Sequence, residues 1–269
     1  MPMEKKLGIN EKNRRLLDLL NRFGKNLFSI KDASKIIGLP VKDTRLYLGY
    51  LARRGWLARV KRGLYISVPL GTVNPQEYRE NPWIVANRIF APCCIGGWSA
   101  AEYWGFTDQI FNSVFVFTAR LFRKKNITIQ GTEFILKLVR AKKISHSKGI
   151  WIENVKVQVS DPSQTIVDVL NEPAVGGGIR HVSDIVRNYF NSEYRNDIEL
   201  LSYIKENKNR TIYKRLGYIL EISDLNVPDI MKECHKNISS GYSVLDPAIK
   251  TKGSFNRRWN LRVNAEVVK

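Results

Sequence analysis

From Ser29 to Tyr65, every residue that starts, stops or turns a chain falls where one supersecondary layout needs it. Ser29 is placed to cap a helix over Ile30 to Ile37, and Gly38 ends that helix. Leu39-Pro40 turns the chain into a second helix, about Val41 to Arg54, which Gly55 closes. The stretch Trp56 to Ile66 then holds two short apolar runs around a turn of Lys61, Arg62 and Gly63. Helix, turn, helix and basic hairpin in this order is the layout of a winged helix-turn-helix. In that fold the second turn-linked helix enters the major groove and the hairpin holds the backbone.

The apolar spacing agrees. Glu11 to Phe23 reads as a preceding helix with Leu16, Leu17, Leu19, Leu20 and Phe23 on one stripe and Gly24 as its stop. Ile30, Ala33, Ile36 and Ile37 face the same core, as do Thr44, Leu48, Leu51 and Ala52 of the next helix. Its opposite face carries Lys42, Asp43, Leu46, Tyr50 and Arg53, with Arg45 at the border. The candidate DNA-contacting residues are therefore Lys42, Asp43, Arg45, Tyr50 and Arg53 on the helix and Arg59, Lys61 and Arg62 on the hairpin.

Charge is distributed to match. The chain has 44 Lys and Arg against 25 Asp and Glu, a net of +19. Residues 1–68 hold 16 basic and 5 acidic residues, so +11 of that excess lies in the first quarter. Clustered cations of this kind bind phosphate backbones by releasing condensed counterions.

At 269 residues the chain has room for one large domain or two ordinary ones. Residues 1–68 read as the winged domain, 69–82 as a linker broken by Pro69, Gly71, Pro75 and Pro82, and 83–269 as a second domain. There Asn81-Pro82-Trp83 starts a helix through Phe90, and Ser99 to Tyr103 is helical. Strands are expected at Ser113 to Thr118, Asn126 to Gln130, Glu133 to Val139, Gly149 to Ile152 and Val155 to Val159. Helices are expected from Asp161 onward and over His181 to Tyr189, Arg195 to Asn207, Thr211 to Glu221 and Val227 to Lys236. The tail, Asn256 to Val268, alternates basic and apolar residues and is read as an edge strand. The fold class is α+β: an N-terminal winged helix-turn-helix domain, then a mixed α+β domain with a mostly antiparallel sheet and a helical C-terminal part.

No run of about 18 apolar residues is long enough for a membrane span. The charged start, Met1 to Lys6, has no apolar segment behind it. Three cysteines, two of them adjacent at Cys93 and Cys94, make no disulfide framework, and both are read as small buried residues of a cytoplasmic protein.

Enzyme chemistry finds no constellation, and no cofactor or metal is expected. His146, His181 and His235 are far apart, and no Cys/His spacing fits zinc. Gly176 to Gly178 lacks the preceding strand and following Lys of a phosphate loop. Gly96-Gly97-Trp98-Ser99 has no paired acidic residues after it to hold the metal of a nucleotidyltransferase, and Glu153 with Lys156 has the wrong spacing for a nuclease.

Several segments together resemble the AbiEi-type antitoxins, regulators of type IV toxin–antitoxin loci linked to abortive infection. They are the winged segment Leu51 to Leu57 with Arg62-Gly63-Leu64-Tyr65, and Ser99 to Thr107, similar to that family's Ser-Ala-x-x-x-Trp-Gly-(apolar)-Thr element. Asp161 to Asp168 looks like its Asp-Pro-x-Arg-Thr-Leu-x-Asp helix start, with Gln164 in place of Arg. Gly176-Gly177 and Lys214-Arg215-Leu216-Gly217-Tyr218 fit later elements, so the ordered match spans about residues 11 to 221.

The resemblance implies a sequence-specific autorepressor that binds double-stranded DNA at its own promoter. One winged module alone reads too few base pairs for an operator, so the expected bound form is a homodimer on an inverted repeat. The resemblance also implies a neighbouring nucleotidyltransferase-type toxin, neutralised with or without direct contact. Two alternatives stay beside it: a nuclease or nucleotidyltransferase that uses the winged domain to deliver substrate, and a stand-alone winged-helix regulator without a toxin.

Overall fold

The computed structural model describes residues 8–23, 27–69 and 71–267. Gly24, read as the stop of the first helix, the charged start Met1 to Lys6, and Val268 at the end of the tail lie outside them. The described residues divide between two compact units. One is drawn from Met1–Ala91, Asn126–Phe134 and Ile150–Val157, the other from Pro92–Lys125, Ile135–Gly149 and Gln158–Lys269.

The chain opens with α1 (Glu11–Phe23), β1 (Leu27–Ser29), α2 (Ile30–Ile37) and α3 (Val41–Arg53). A hairpin of β2 (Leu57–Lys61) and β3 (Leu64–Ser67) follows. The local chemistry explains the boundaries. Ser29 Oγ accepts from Asp32 N at 3.2 Å and Asp32 Oδ2 accepts from Ser29 N at 3.0 Å, a reciprocal capping box at the start of α2. Gly38 ends α2 at φ +70, a left-handed conformation that suits glycine. Leu17, Leu20, Phe28, Ala33, Leu48, Leu51, Leu57 and Tyr65 are buried in one cluster. Burial of such side chains is worth about 1.5–3 kcal/mol each and is what holds short helices together.

Strand β1 has no counterpart among the expected elements. It pairs antiparallel with β3 (Phe28 with Tyr65), making the hairpin the inner and outer strands of a three-stranded sheet in the order β1-β3-β2. Three residues are too few to show a period of two, so only the pairing reveals the strand.

Asn81 caps α4 (Pro82–Ile89) by accepting from Trp83 N at 2.9 Å. Between the hairpin and α4, Pro75–Glu77 forms a single 3-10 turn.

The elements that follow are β4 (Cys93–Ile95), α5 (Gly97–Tyr103), β5 (Ser113–Thr118), β6 (Asn126–Ile129), β7 (Thr132–Leu138), α6 (Ala141–Ile144), β8 (Ser147–Ile152) and β9 (Val155–Ser160). Strands β4 to β9 make one sheet in the order β6-β7-β5-β4-β9-β8. It is mixed: β4 runs antiparallel to β5 but parallel to β9 through Ile95 and Val159. Strand β4 is also absent from the expected elements; its three residues are all buried, without alternation. Burial pushes the Cys93 and Cys94 thiols up to about 12, which fits inert core residues.

Helices α7 (Pro162–Asn171), α8 (Ile179–Phe190), α9 (Asp197–Asn207), α10 (Thr211–Ile222) and α11 (Pro228–Asn237) build the rest, with β10 (Ser243–Val244), β11 (Ser254–Asn256) and β12 (Leu261–Val263). The tail is not an edge strand. β12 lies between its neighbours in the order β10-β12-β11, with Leu261 buried. Its partner β10 has two residues, too few to leave a signal in the sequence.

The motifs behind the family resemblance hold this second unit together. Asp161 caps α7 by accepting from Ser163 N at 2.9 Å. Ser99 Oγ accepts from Phe115 N at 3.0 Å, and Trp104 Nε1 donates to Ser160 O at 2.8 Å. Arg215 is buried and spends its guanidinium on backbone carbonyls: Nε on Leu245 at 2.9 Å, Nη1 on Leu170 at 2.8 Å and Nη2 on Val244 at 3.1 Å. Burial lowers it to about 10. At Gly217, a side chain of any size would overlap the ring of Trp259.

Candidate nucleic-acid interface

Helix α3 is two-faced. Thr44, Leu48 and Leu51 are fully buried, while Lys42, Asp43, Arg45, Leu46 and Arg53 are exposed. Helical spacing puts Lys42, Leu46, Gly49 and Arg53 on one stripe, opposite the buried residues, with Arg45 on one flank and Asp43 and Tyr50 on the other. Tyr50 is half-buried and packs against the N-terminal core, with the Arg54 guanidinium 5.3 Å from its ring centre.

Two bonds hold the helix at its entry. Ser34 Oγ donates to Leu39 O at 2.6 Å and Thr44 Oγ1 donates to the same oxygen at 3.2 Å. A third, from Tyr47 OH to Asn13 O at 3.1 Å, ties α3 to α1. The two helix starts differ. In α2 the Asp32 amide is taken by Ser29 Oγ and the Ile30 amide by Gly63 O, but α3 follows Pro40 and has no side-chain cap. The first turn of α3 thus carries the positive end of the helix dipole, without a side-chain cap, beside Lys42, an arrangement that attracts phosphate.

In the hairpin, Arg59 pairs across the ladder with Tyr65, and its guanidinium lies 5.8 Å from that ring's centre. The register shifts between Arg59 and Lys61, and Arg62-Gly63 makes the tip, Gly63 at φ +78. Lys61 ends β2 instead of sitting in the turn. Gly63 O accepts from Ile30 N at 3.2 Å, which anchors the tip to the start of α2. Arg59, Lys61 and Arg62 are exposed.

Cations elsewhere in this unit are partly neutralised. Arg15 pairs with Glu11, Arg22 with Asp18 and Arg88 with Asp32. Lys42, Arg45, Arg53, Arg59 and Arg62 form no ion pair among the described residues. Their charge is unspent, which is what counterion release needs. Helix α2 adds exposed Lys31 and Lys35. Neither is among the expected contacts, although their spacing alone puts them off the apolar stripe.

Two of the histidines serve structure. His181 bonds Thr107 Oγ1 and Gly176 O, each at 2.6 Å, and His235 stacks on Trp259 at 4.1 Å. The amide of Ile179, at the start of α8 after the three glycines, is taken by Asp246 Oδ2 at 2.9 Å. No group of three or more His, Cys, Asp or Glu among the described residues is placed to hold a metal ion. No helix among them is long and apolar enough to cross a membrane.

Residues 15–68 match the family model described as transcriptional regulator, AbiEi antitoxin. The crystal structure of the RV2827C protein from Mycobacterium tuberculosis is similar in fold, with a TM-score of 0.66 and 15% sequence identity over 94% of this chain and 92% of that one. Among curated proteins, none matches.

Proposed function

We propose that this chain is a winged helix-turn-helix repressor of its own promoter and the antitoxin of a type IV toxin–antitoxin locus, working in the cytoplasm and not as an enzyme. The observation that carries the reading is the exposed, unpaired cationic face of α3 beside its uncapped start. The match of residues 15–68 to a regulator family supports it independently. In this reading Lys42, Arg45 and Arg53 meet the major groove, with Asp43 and Tyr50 at its edge, while Arg59, Lys61 and Arg62 of the hairpin hold phosphates. The DNA-reading part is then residues 1–68, which hold the buried cluster of Leu17 to Tyr65, inside a compact unit that runs on to Ala91. Residues 69–82 connect it to 83–269, which counters a nucleotidyltransferase-type toxin encoded next door.

A single winged module reads too few base pairs for an operator, so two copies should sit on an inverted repeat. The test is fluorescence anisotropy on the natural promoter across a salt series. Neutralising roughly 4–6 phosphates gives a log–log slope of about −4 to −5. A flat salt response rejects the DNA reading, and a stoichiometry of one protein per duplex rejects the dimer. Co-expression with the neighbouring gene product, scored by growth, tests the antitoxin part alone.

A further inference from the structure

The second unit holds a cavity of about 340 Å³ that the DNA reading does not use. Its volume is at the small end of the range for small-molecule sites. Helices α6, α7 and α9 and strands β5 and β7 supply its walls, bringing together residues as far apart in sequence as Phe117 and Glu206.

Three features of those walls bear on an occupant. The first is cationic. Lys137, Arg140, Lys142 and Lys143 all line the cavity. Lys137 is paired with Glu172, Lys142 with Glu206 at 3.0 Å and Lys143 with Asp168. Arg140 is exposed and forms no ion pair among the described residues. A free guanidinium presents a planar fork that matches a phosphate or carboxylate through two parallel hydrogen bonds.

The second is aromatic. His146 and Tyr203 both line the cavity, and their rings stack with centres 4.5 Å apart and planes 22° apart. Flat aromatic walls of this kind accept a flat heterocycle irrespective of its sequence of ring atoms.

The third is an acceptor without a donor. The Asp168 side chain is wholly buried. Its Oδ1 receives both Gln164 Nε2, at 2.6 Å, and Lys143 Nζ. Its Oδ2 has no hydrogen-bond partner among the described residues. Because Gln164 gives its amide N–H to Asp168, its carbonyl oxygen faces His146 Nδ1 at 3.1 Å, and that nitrogen carries the proton. The polar chain His146–Gln164–Asp168 is thereby oriented, and it ends on an oxygen that still lacks an N–H. Buried acceptors in folded proteins are nearly always satisfied.

We propose that this cavity binds a nucleoside monophosphate whose base carries an amino group. The phosphate meets Arg140, the base lies against the His146–Tyr203 pair, and the amino group donates to Asp168 Oδ2. Neither inorganic phosphate nor a bare nucleoside offers all three groups. The inference stands on the cavity alone and is independent of DNA binding.

The test uses the full-length protein and three probes, AMP, adenosine and inorganic phosphate, read by titration calorimetry and thermal shift. AMP should bind at least tenfold more tightly than either of the others and raise Tm in a concentration-dependent way. Arg140→Ala, at an exposed position, should weaken AMP at least tenfold with an unchanged circular dichroism spectrum. Asp168→Asn, which puts an N–H where the ligand's must go, should abolish AMP binding. Should that variant fail to fold, Arg140→Ala and the probe comparison decide. The proposal is overturned by the absence of AMP binding at millimolar concentration. It is equally overturned by phosphate or adenosine binding as tightly as AMP, or by an Arg140→Ala affinity equal to that of the parent.

Discussion

A side chain added at Gly49 would meet one heavy atom beyond its own helix backbone and chain neighbours, the Nη1 of Arg53 at 3.8 Å. No packing in this unit therefore requires a glycine there, in the middle of a 13-residue helix. A helix-interior glycine costs about 0.5–1 kcal/mol against alanine. On the proposed reading, Gly49 lies on the stripe with Lys42, Leu46 and Arg53, where a missing Cβ would let the helix backbone come close to a groove. Gly49→Ala should raise stability by about that amount in thermal unfolding and weaken promoter binding by about tenfold, or 1.4 kcal/mol. A stabilised variant with unaltered promoter affinity would mean that α3 does not meet DNA through this face.

The two cationic sets should separate in kind. Arg45→Ala and Lys42→Ala should each narrow the gap between promoter and random DNA, by about 1–3 kcal/mol for a lost base contact. Lys61→Ala and Arg62→Ala should weaken both DNAs alike and shallow the salt slope by about one each. Competition binding against random duplex measures both quantities. Equal effects from the two sets would assign α3 to the backbone.

Asp32 ties the fold to pH. Burial alone pushes its carboxyl up, but the Ser29 amide and hydroxyl and the Arg88 guanidinium outweigh it and hold it below the ordinary value of 3.8. The unfolded chain then takes up this proton at a higher pH than the folded one. The stabilisation is complete above 3.8 and is lost as the pH falls through the lowered value. Melting curves of the parent and of Asp32→Asn should differ most near neutral pH and converge as the pH drops below 3.8. A gap of constant width from neutral to acid pH would show that the charge of Asp32 contributes nothing.

Gly217 and Trp259 make the sharpest core prediction. The indole lies where a Cβ on residue 217 would be, and its Nε1 is held by Glu221. Gly217→Ala should cost about 1–3 kcal/mol, the usual range for overpacking a filled core. Chemical denaturation measures it. A loss below about 0.5 kcal/mol would mean that the ring shifts freely, against the packing expected of a core at crystal-like density.

Most of the N-terminal unit is legible in the amino-acid sequence alone, because its signals are local. A cap at Ser29 is answered three residues on by Asp32, Gly38 needs a left-handed turn that only its own backbone decides, and the amphipathic faces of α1, α2 and α3 follow from spacing along one helix. The Asp161 cap and the strands from β5 to β9 are legible for the same reason. What lies beyond the sequence are features whose partners are distant. Strands β1 and β4 have three residues each, too few for a period, and exist through pairing with β3, β5 and β9. Strand β12 reads as an edge because β10, its second neighbour, gives no signal of its own. Nothing local to Arg215 marks it as buried; only the fold brings the carbonyls of Leu170, Val244 and Leu245 around it. The cavity at Asp168 is the same case: His146, Gln164, Tyr203 and Arg140 carry no shared spacing, and only the packing of α6, α7 and α9 makes them neighbours. Local hydrogen bonds and periodicity act over a few residues and are written in order along the chain. Burial and pairing act over any separation, and only the folded structure sets them.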